Sequence, residues 1–400
     1  MSWNTIIGQI RVKGIIQRAL KEHSIAHAYC FYGNEGIGKE ALALELAKVM
    51  NCINTVVEYG HISACDNCKS CKVANNFEHP NISLITPLPS FKAGSDAKHD
   101  ESPLLKLSDD HYAEYQKQIQ LKIHNPYHTI HLPNAQQIRI ASIREIKKNI
   151  KMSAVQSGRR FFIVSDADKM TMEASNAFLK TLEEPHNNIT FILITSNKEL
   201  LPKTILSRCQ QVYCDILTSQ ELTQWIHTTQ DIPIDEAYLI QAFAQGSITR
   251  ALEFLDEDMK GMRLDIIDLL RVSLKKGIFI VDLMSMIDTI LHDKNRSKVQ
   301  IMMHLLYLWL RDCFYFIQSP LDHSLIVNID QTETIQKFSH AFPDADYPAI
   351  LQEIESSINM IKRNVHMQLV LTTLLLSCRQ NFLYKSSQFS DHSIHSGYTN

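Results

Sequence analysis

Residues 28–48 read AYCFYGNEGIGKEALALELAK, an apolar strand, a glycine-rich turn and an amphipathic helix in one run. Gly33, Gly38 and Lys39 stand where the phosphate-binding pattern G-x-x-x-x-G-K-[ST] requires them, and Gly36 adds to the turn. Such a loop binds phosphate through backbone N–H groups at a helix N-terminus and a lysine ammonium. The strand–turn–helix order is the context that separates a working loop from a chance match. The residue after the lysine, normally a hydroxyl that holds magnesium, is Glu40. Two like charges about 4 Å apart repel by several kcal/mol at the effective dielectric of a partly buried site. ATP or ADP is therefore expected to bind weakly or not at all.

Outward from this stretch, buried-type apolar strands alternate with helices: NISLITP, then RRFFIVSDADKM, TMEASNAFLKTLEEP with its stop at Pro185, and ITFILITSN. That alternation predicts an α/β fold built on a parallel, doubly wound sheet. Between about 87 and 133 the chain turns polar and irregular, an inserted loop with room for one helix and no assignable role. Loops of this length are uncommon in compact domains. Beyond about residue 214 strands give way to helices. The expected organisation is a sheet domain over 1–213, a small helical lid over 214–260, an all-α domain over 261–383 and a disordered polar tail over 384–400.

The partner of a phosphate loop is an apolar strand ending in a magnesium-holding acid. Here FFIV is followed by Ser165, and Asp166 comes one step later. Two independent defects in one site point to a loop that does not hydrolyse ATP.

These residues resemble the bacterial clamp-loader subunits of the AAA+ class, most closely their delta-prime branch. The stretches that carry the resemblance are IIGQ (6–9), GIGKEALALELAK, the block from Asp166 to Asn197, LLPKTILSRCQ (200–210) and GSITRAL (246–252). The resemblance implies a RecA-like sheet domain, a lid and a helical collar through which subunits form a ring. It also implies a polar sensor at Thr195 to Asn197, a second sensor at Arg250, and Arg208 of the Ser207–Arg208–Cys209 trio as an arginine finger entering a neighbour's ATP site. Partners would be gamma/tau and delta subunits, with the sliding clamp and primed DNA reached through the complex. Two alternatives stay open: an ATP-hydrolysing subunit of the gamma/tau kind, and a zinc-bearing, non-catalytic AAA+ adaptor.

Cys52, Cys65, Cys68 and Cys71 give C-x12-C-x2-C-x2-C, a spacing suited to tetrahedral, structural Zn2+. The resembled family carries a zinc module at this point. The other cysteines are scattered, so the nine together argue against a disulfide framework and for a reducing cytoplasm. His99, His111, His124, His128 and His131 are too irregularly spaced to read as metal ligands. The helix IRIASIREIKKNIKM carries Arg144, Lys147, Lys148 and Lys151, a solvated face or a track for DNA phosphates. A net charge of -3 gives no global pull toward nucleic acid or anionic membrane. The most apolar stretch, IMMHLLYLWLRDCFYFI, is broken by Arg311 and Asp312 short of the roughly 20 apolar residues a bilayer span needs. It is expected to be a buried helix, and no membrane partner is expected.

Overall fold

The computed structural model describes residues 2–58, 60–90, 102–151, 158–184, 188–256, 258–293, 295–320 and 326–383. Pro185 and the tail 384–400 lie outside the described residues. The chain divides into two compact units, Met1–Glu253 and Phe254–Asn400.

The first unit is built on strands β1 (Ala28–Tyr32), β4 (Ile82–Ile85), β5 (Arg160–Val164), β6 (Ile189–Thr195) and β7 (Gln210–Tyr213). They form a five-stranded sheet in the order β4-β5-β6-β1-β7, with every pairing parallel. All seven residues of β6 are buried, as a central strand covered on both faces requires. The register sets Tyr32 opposite Thr195 and Val164 opposite Leu193, so the turns that follow β1, β5 and β6 emerge at one edge. Open parallel sheets place their ligand sites at this carboxyl edge.

Helix α1 (Ile10–Lys21) precedes β1, and α2 (Lys39–Asn51) follows the glycine turn. Helices α5 (Ile140–Lys151) and α6 (Met172–Glu183) cover the sheet, Ile143, Ile146 and Ile150 joining Phe178, Phe162 and Phe191 in one core cluster. The cysteine-rich excursion after α2 forms a hairpin, β2 (Val56–Glu58) with β3 (His61–Ser63), and helix α3 (Lys69–Asn75). Trp3 Nε1 and Gln17 Nε2 both donate to the Ile62 carbonyl, at 3.0 and 2.9 Å, which ties the hairpin to the N-terminal segment.

Buried His79 secures the other side of the excursion. Its Nδ1 accepts the Asn81 N–H at 3.1 Å, so the ring proton sits on Nε2 and is donated to Ser70 Oγ at 2.9 Å. That hydroxyl donates in turn to the Asn51 carbonyl at the end of α2, at 2.5 Å. Protonating Nδ1 would oppose two donors, and burial also lowers the pKa below the ordinary 6.5. A depressed histidine pKa contributes stability that is complete above 6.5 and lost as pH falls below it, by at most about 1.4 kcal/mol per pH unit. Urea midpoints between neutral and mildly acidic pH should fall more steeply for the unaltered chain than for His79→Gln. Equal slopes would count against this role.

The insert holds a helix, α4 (Asp109–His124), started by the Ser108 side chain accepting the His111 N–H at 3.3 Å. It has a small core of its own, in which Leu88, Leu107, Ile130 and Leu132 pack with Tyr115 and Ile119. Arg139 pins its base by donating to the carbonyls of Leu88 and Pro89 at 3.0 and 2.8 Å. After the short helix α7 (Lys203–Leu206) and β7 come α8 (Ser219–Gln230), α9 (Ile234–Ala244) and α10 (Ile248–Asp256). Thr218 and Glu221 form a capping box that starts α8.

The second unit is helical: α11 (Met259–Ser273), α12 (Ile280–Ile290), α13 (Arg296–Gln318), α14 (Thr332–Ala341), α15 (Tyr347–Lys362) and α16 (Met367–Leu383). The apolar stretch is α13, with Trp309 fully buried. Asp312 is also fully buried, its carboxylate accepting the N–H groups of Val327 and Asn328 at 3.0 and 2.8 Å and the Asn328 side chain at 2.7 Å. Those bonds are what make a buried carboxylate tolerable. Among the described residues, no helix is long and apolar enough to cross a membrane.

Candidate nucleotide site and metal centre

The sheet brings the phosphate-loop residues to one place. Gly38 caps α2 with φ 91°, a conformation that favours glycine, and Lys39 is the first helical residue. The Lys39 ammonium donates to the carbonyls of Gly33 and Asn34, at 2.6 and 2.5 Å, and to Ser196 Oγ at 3.2 Å. Burial lowers its pKa, against the opposing pull of Cys214, Glu35, Asp166 and Glu40.

Glu40 is engaged by two other side chains. Its carboxylate accepts the Ser165 hydroxyl and forms an ion pair with Lys122 of the insert, whose side chain is 1% exposed. Glu40, Lys122 and Ser165 thus form one bonded network beside the glycine turn. Asp166 has φ 50° and pairs with Lys169 at 2.8 Å. Asp168 accepts the Thr195 hydroxyl at 2.5 Å, so both acids after β5 are engaged locally.

Tyr127 lies beside this network. Its hydroxyl accepts the Ile7 N–H at 2.8 Å and donates to the Thr5 carbonyl at 3.2 Å, and its carbonyl accepts the Thr249 hydroxyl at 3.0 Å. The cavity left among Gly36, Lys39, Glu40, Lys122, Tyr127 and Thr195 measures about 50 Å³. Small-molecule sites usually offer roughly 300–1,000 Å³.

Of the other expected site residues, Asn197 is exposed and Arg250 is half-buried in the first turn of α10. Neither lines the cavity; Thr195, Ser196 and Thr249 do. Arg208 lies outside it, 36% exposed, bonded to Glu183 at 3.0 Å and to the Thr204 carbonyl at 3.0 Å. Arg144, Lys148 and Lys151 are exposed on α5 and Lys147 is half-buried. Sequence reasoning missed Lys122 and Tyr127.

Removing one partner of a buried ion pair leaves a charge without compensation, at a cost of about 3–5 kcal/mol. Lys122→Met should destabilise the first unit by about that much, and adding Glu40→Gln should restore most of it. Denaturant titration of the two variants measures this; equal losses would show that the pair does not couple.

The sulfur atoms of Cys52, Cys65, Cys68 and Cys71 all lie within 4.8 Å of one another. The Cys52–Cys65 and Cys52–Cys68 separations are 3.6 and 4.0 Å. They bracket the edge of about 3.8 Å that follows from a tetrahedral zinc with bonds of about 2.3 Å. The N–H groups of Cys65, Cys68 and Cys71 donate to the sulfurs of Cys52, Cys65 and Cys68 at 3.3, 3.4 and 3.4 Å. At Cys68 burial raises the thiol pKa, and N–H bonds from Cys71 and Ile53 with neighbouring thiols outweigh it, to about 6. Amide donors on thiolates suit a metal-binding turn. The donor set fits a metal ion in a closed site, and Cys30, Cys209, Cys214, Cys313 and Cys378 are buried elsewhere.

A phosphate loop at the carboxyl edge of a five-stranded parallel sheet, followed by a helical lid, defines an AAA+-type α/β domain. Residues 8–217 match the family model described as DNA polymerase III, delta subunit, and the chain belongs to this family of clamp-loader proteins of bacterial DNA polymerase III. Its relatives include the tau/gamma subunit of Haemophilus influenzae, 25% identical over 63% of this chain and 30% of that protein. The delta' subunit of Bacillus subtilis is 27% identical over 50% of this chain and 46% of that protein. The delta' subunit of Pseudomonas aeruginosa is 25% identical over 63% of each. The aligned part thus spans less than half of the first two relatives and under two thirds of the third. A gamma subunit-related protein of Thermotoga maritima aligns with 94% of this chain and 99% of its own at 17% identity and a TM-score of 0.41.

Proposed function

We propose that this chain is a delta-prime-type subunit of a bacterial DNA polymerase III clamp loader. It is a ring member that hydrolyses no ATP itself and lends Arg208 to a neighbour's nucleotide site while the complex opens a sliding clamp and places it on primed DNA. The observation that carries this reading is the Glu40–Lys122–Ser165 network in the magnesium position. Phosphoryl transfer needs a metal held by the hydroxyl after the lysine and by an acid at the strand end. Here both positions are taken by groups bonded to each other.

Arg208 fits a role in trans because it is partly exposed and its present partner is cheap to leave. A surface ion pair such as Arg208–Glu183 is worth about 0–1 kcal/mol. Gamma/tau and delta subunits would be its ring partners, and ATP or ADP would bind this chain weakly or not at all. The ion of the four-cysteine site would be Zn2+, holding the excursion to α2 without chemistry of its own. The basic face of α5 would follow the DNA backbone without reading sequence.

Relatives named tau/gamma keep a second reading alive, that of a subunit that hydrolyses ATP. ATP turnover by the purified chain, abolished by Lys39→Ala, would establish it instead. The direct test of the first reading is a ring reconstituted with gamma/tau and delta subunits, assayed for clamp- and DNA-stimulated ATP turnover with Arg208 and with Arg208→Ala.

A further inference from the structure

We infer that residues 122–129 of the insert are the resident occupant of the phosphate loop, excluding nucleotide and tying the lid to the sheet domain. The inference deepens the reading of the chain as a ring member without hydrolysis of its own, and it rests on the same site. Three observations carry it.

First, charge is balanced from within. The Lys122 ammonium pairs with the Glu40 carboxylate and donates to the carbonyls of His128 and Pro126 at 2.5 and 3.4 Å. A buried cation on a helix of the insert thus stands where a metal ion would balance acidic groups. A lysine held in this way cannot leave without stranding Glu40, so an incoming metal–nucleotide complex must displace a satisfied pair.

Second, space is taken. A Cβ added at Gly38 would lie 3.0 Å from the Tyr127 ring, so the aromatic ring packs directly on the loop. The remaining cavity of about 50 Å³ has no room for a triphosphate.

Third, the same segment reaches the lid. The Tyr127 ring packs edge-on against Trp225 of α8, with centroids 6.1 Å apart, and its carbonyl takes the Thr249 hydroxyl of α10. The lid closes on the loop directly as well. The Ile248 N–H donates to the Gly36 carbonyl at 2.8 Å, and a Cβ at Gly36 would fall 2.1 Å from Ser247 Oγ. Lid and loop are thus joined directly through protein groups.

The test uses the full purified chain with magnesium and N-methylanthraniloyl-labelled ATP and ADP. The unaltered chain should show no saturable binding. The triple variant Glu40→Thr, Lys122→Ala, Tyr127→Ala supplies the hydroxyl and removes the occupant's two key side chains, and should bind saturably, at least about tenfold more tightly than the detection limit that the unaltered chain falls below. Saturable binding by the unaltered chain overturns the inference, as does a folded triple variant that binds no better.

Should the triple variant fail to fold, Thr249→Val decides the matter, since it cuts only the lid's bond to the Tyr127 carbonyl. Hydrogen exchange at the Ile248 amide should quicken several-fold in that variant, the effect of losing one hydrogen bond. An unchanged rate overturns the inference. These readouts come from the isolated chain, so a ring indifferent to Arg208→Ala would sink the proposed function and leave this result standing.

Discussion

A ring built with the Arg208→Ala chain is expected to assemble normally and to lose about 10³–10⁵-fold in ATP turnover at the site this arginine serves. An arginine finger acts by placing a fixed positive charge against the phosphoryl group in transfer, where charge spreads over three oxygens. Alanine removes that charge without touching a buried group, because Arg208 is partly exposed and its bonds go to Glu183 and to the nearby Thr204 carbonyl. Losing an exposed pair costs about 0–1 kcal/mol, so the chain should fold and join the ring as before. The whole-ring rate would average this site with the others. The loss is best read in rings whose remaining ATP sites carry a disabled phosphate-loop lysine. Lysine at the same position would keep the charge but lose the planar fork, and should recover only part of the rate. Turnover unchanged by Arg208→Ala, in a ring shown to contain the variant, would end the finger assignment.

The second large effect concerns the cysteine cluster. Structural zinc in zinc-finger peptides binds with about 10–16 kcal/mol of free energy, and that energy is spent on folding. The excursion between α2 and β4 has little core: Val56 and Val57 are exposed and the hairpin has three residues per strand. Its order should therefore depend on the metal. The chain purified without chelators should carry close to one zinc ion, and Cys68→Ser should carry far less. Stripping the metal should expose the segment from Cys52 to Asn75 to protease while the buried strands β5 and β6 stay protected. A metal-free chain with the same cleavage pattern as the metal-bound one would refute a structural role. Lys48 ties this module to α2: it bonds Asp66, between two of the cysteines, at 2.5 Å and Glu45 of its own helix at 2.9 Å. Burial raises the Glu45 carboxyl to about 7, against the pull of Lys48.

The strands, the glycine turn and helices α2, α5 and α6 were legible because each is a local pattern. Apolar runs of strand length, helical spacing and glycines at fixed offsets do not depend on what lies across the fold. The four cysteines were legible for the same reason, as their spacing restricts them to one short excursion. The departures from the motif at Glu40 and Ser165 were visible singly, but their direct bond was not.

The insert was the part that sequence reading could not place. Its helix carries Tyr115 and Ile119 toward the small core, and Lys122 continues their stripe at helical spacing. A lysine on an apolar stripe is a sign of a buried partner, yet nothing local says that the partner is Glu40. Apolar patterning and motif spacing by themselves determined the α/β class, the phosphate-loop motif with glutamate in place of its hydroxyl, and the four-cysteine cluster. The tertiary structure alone decided that Lys122 meets Glu40 and that the Tyr127 ring packs against the loop at Gly38. The physical reason is that a buried charge must find its counter-charge wherever the fold brings one, and residues far apart in the chain meet only once the sheet has set the register.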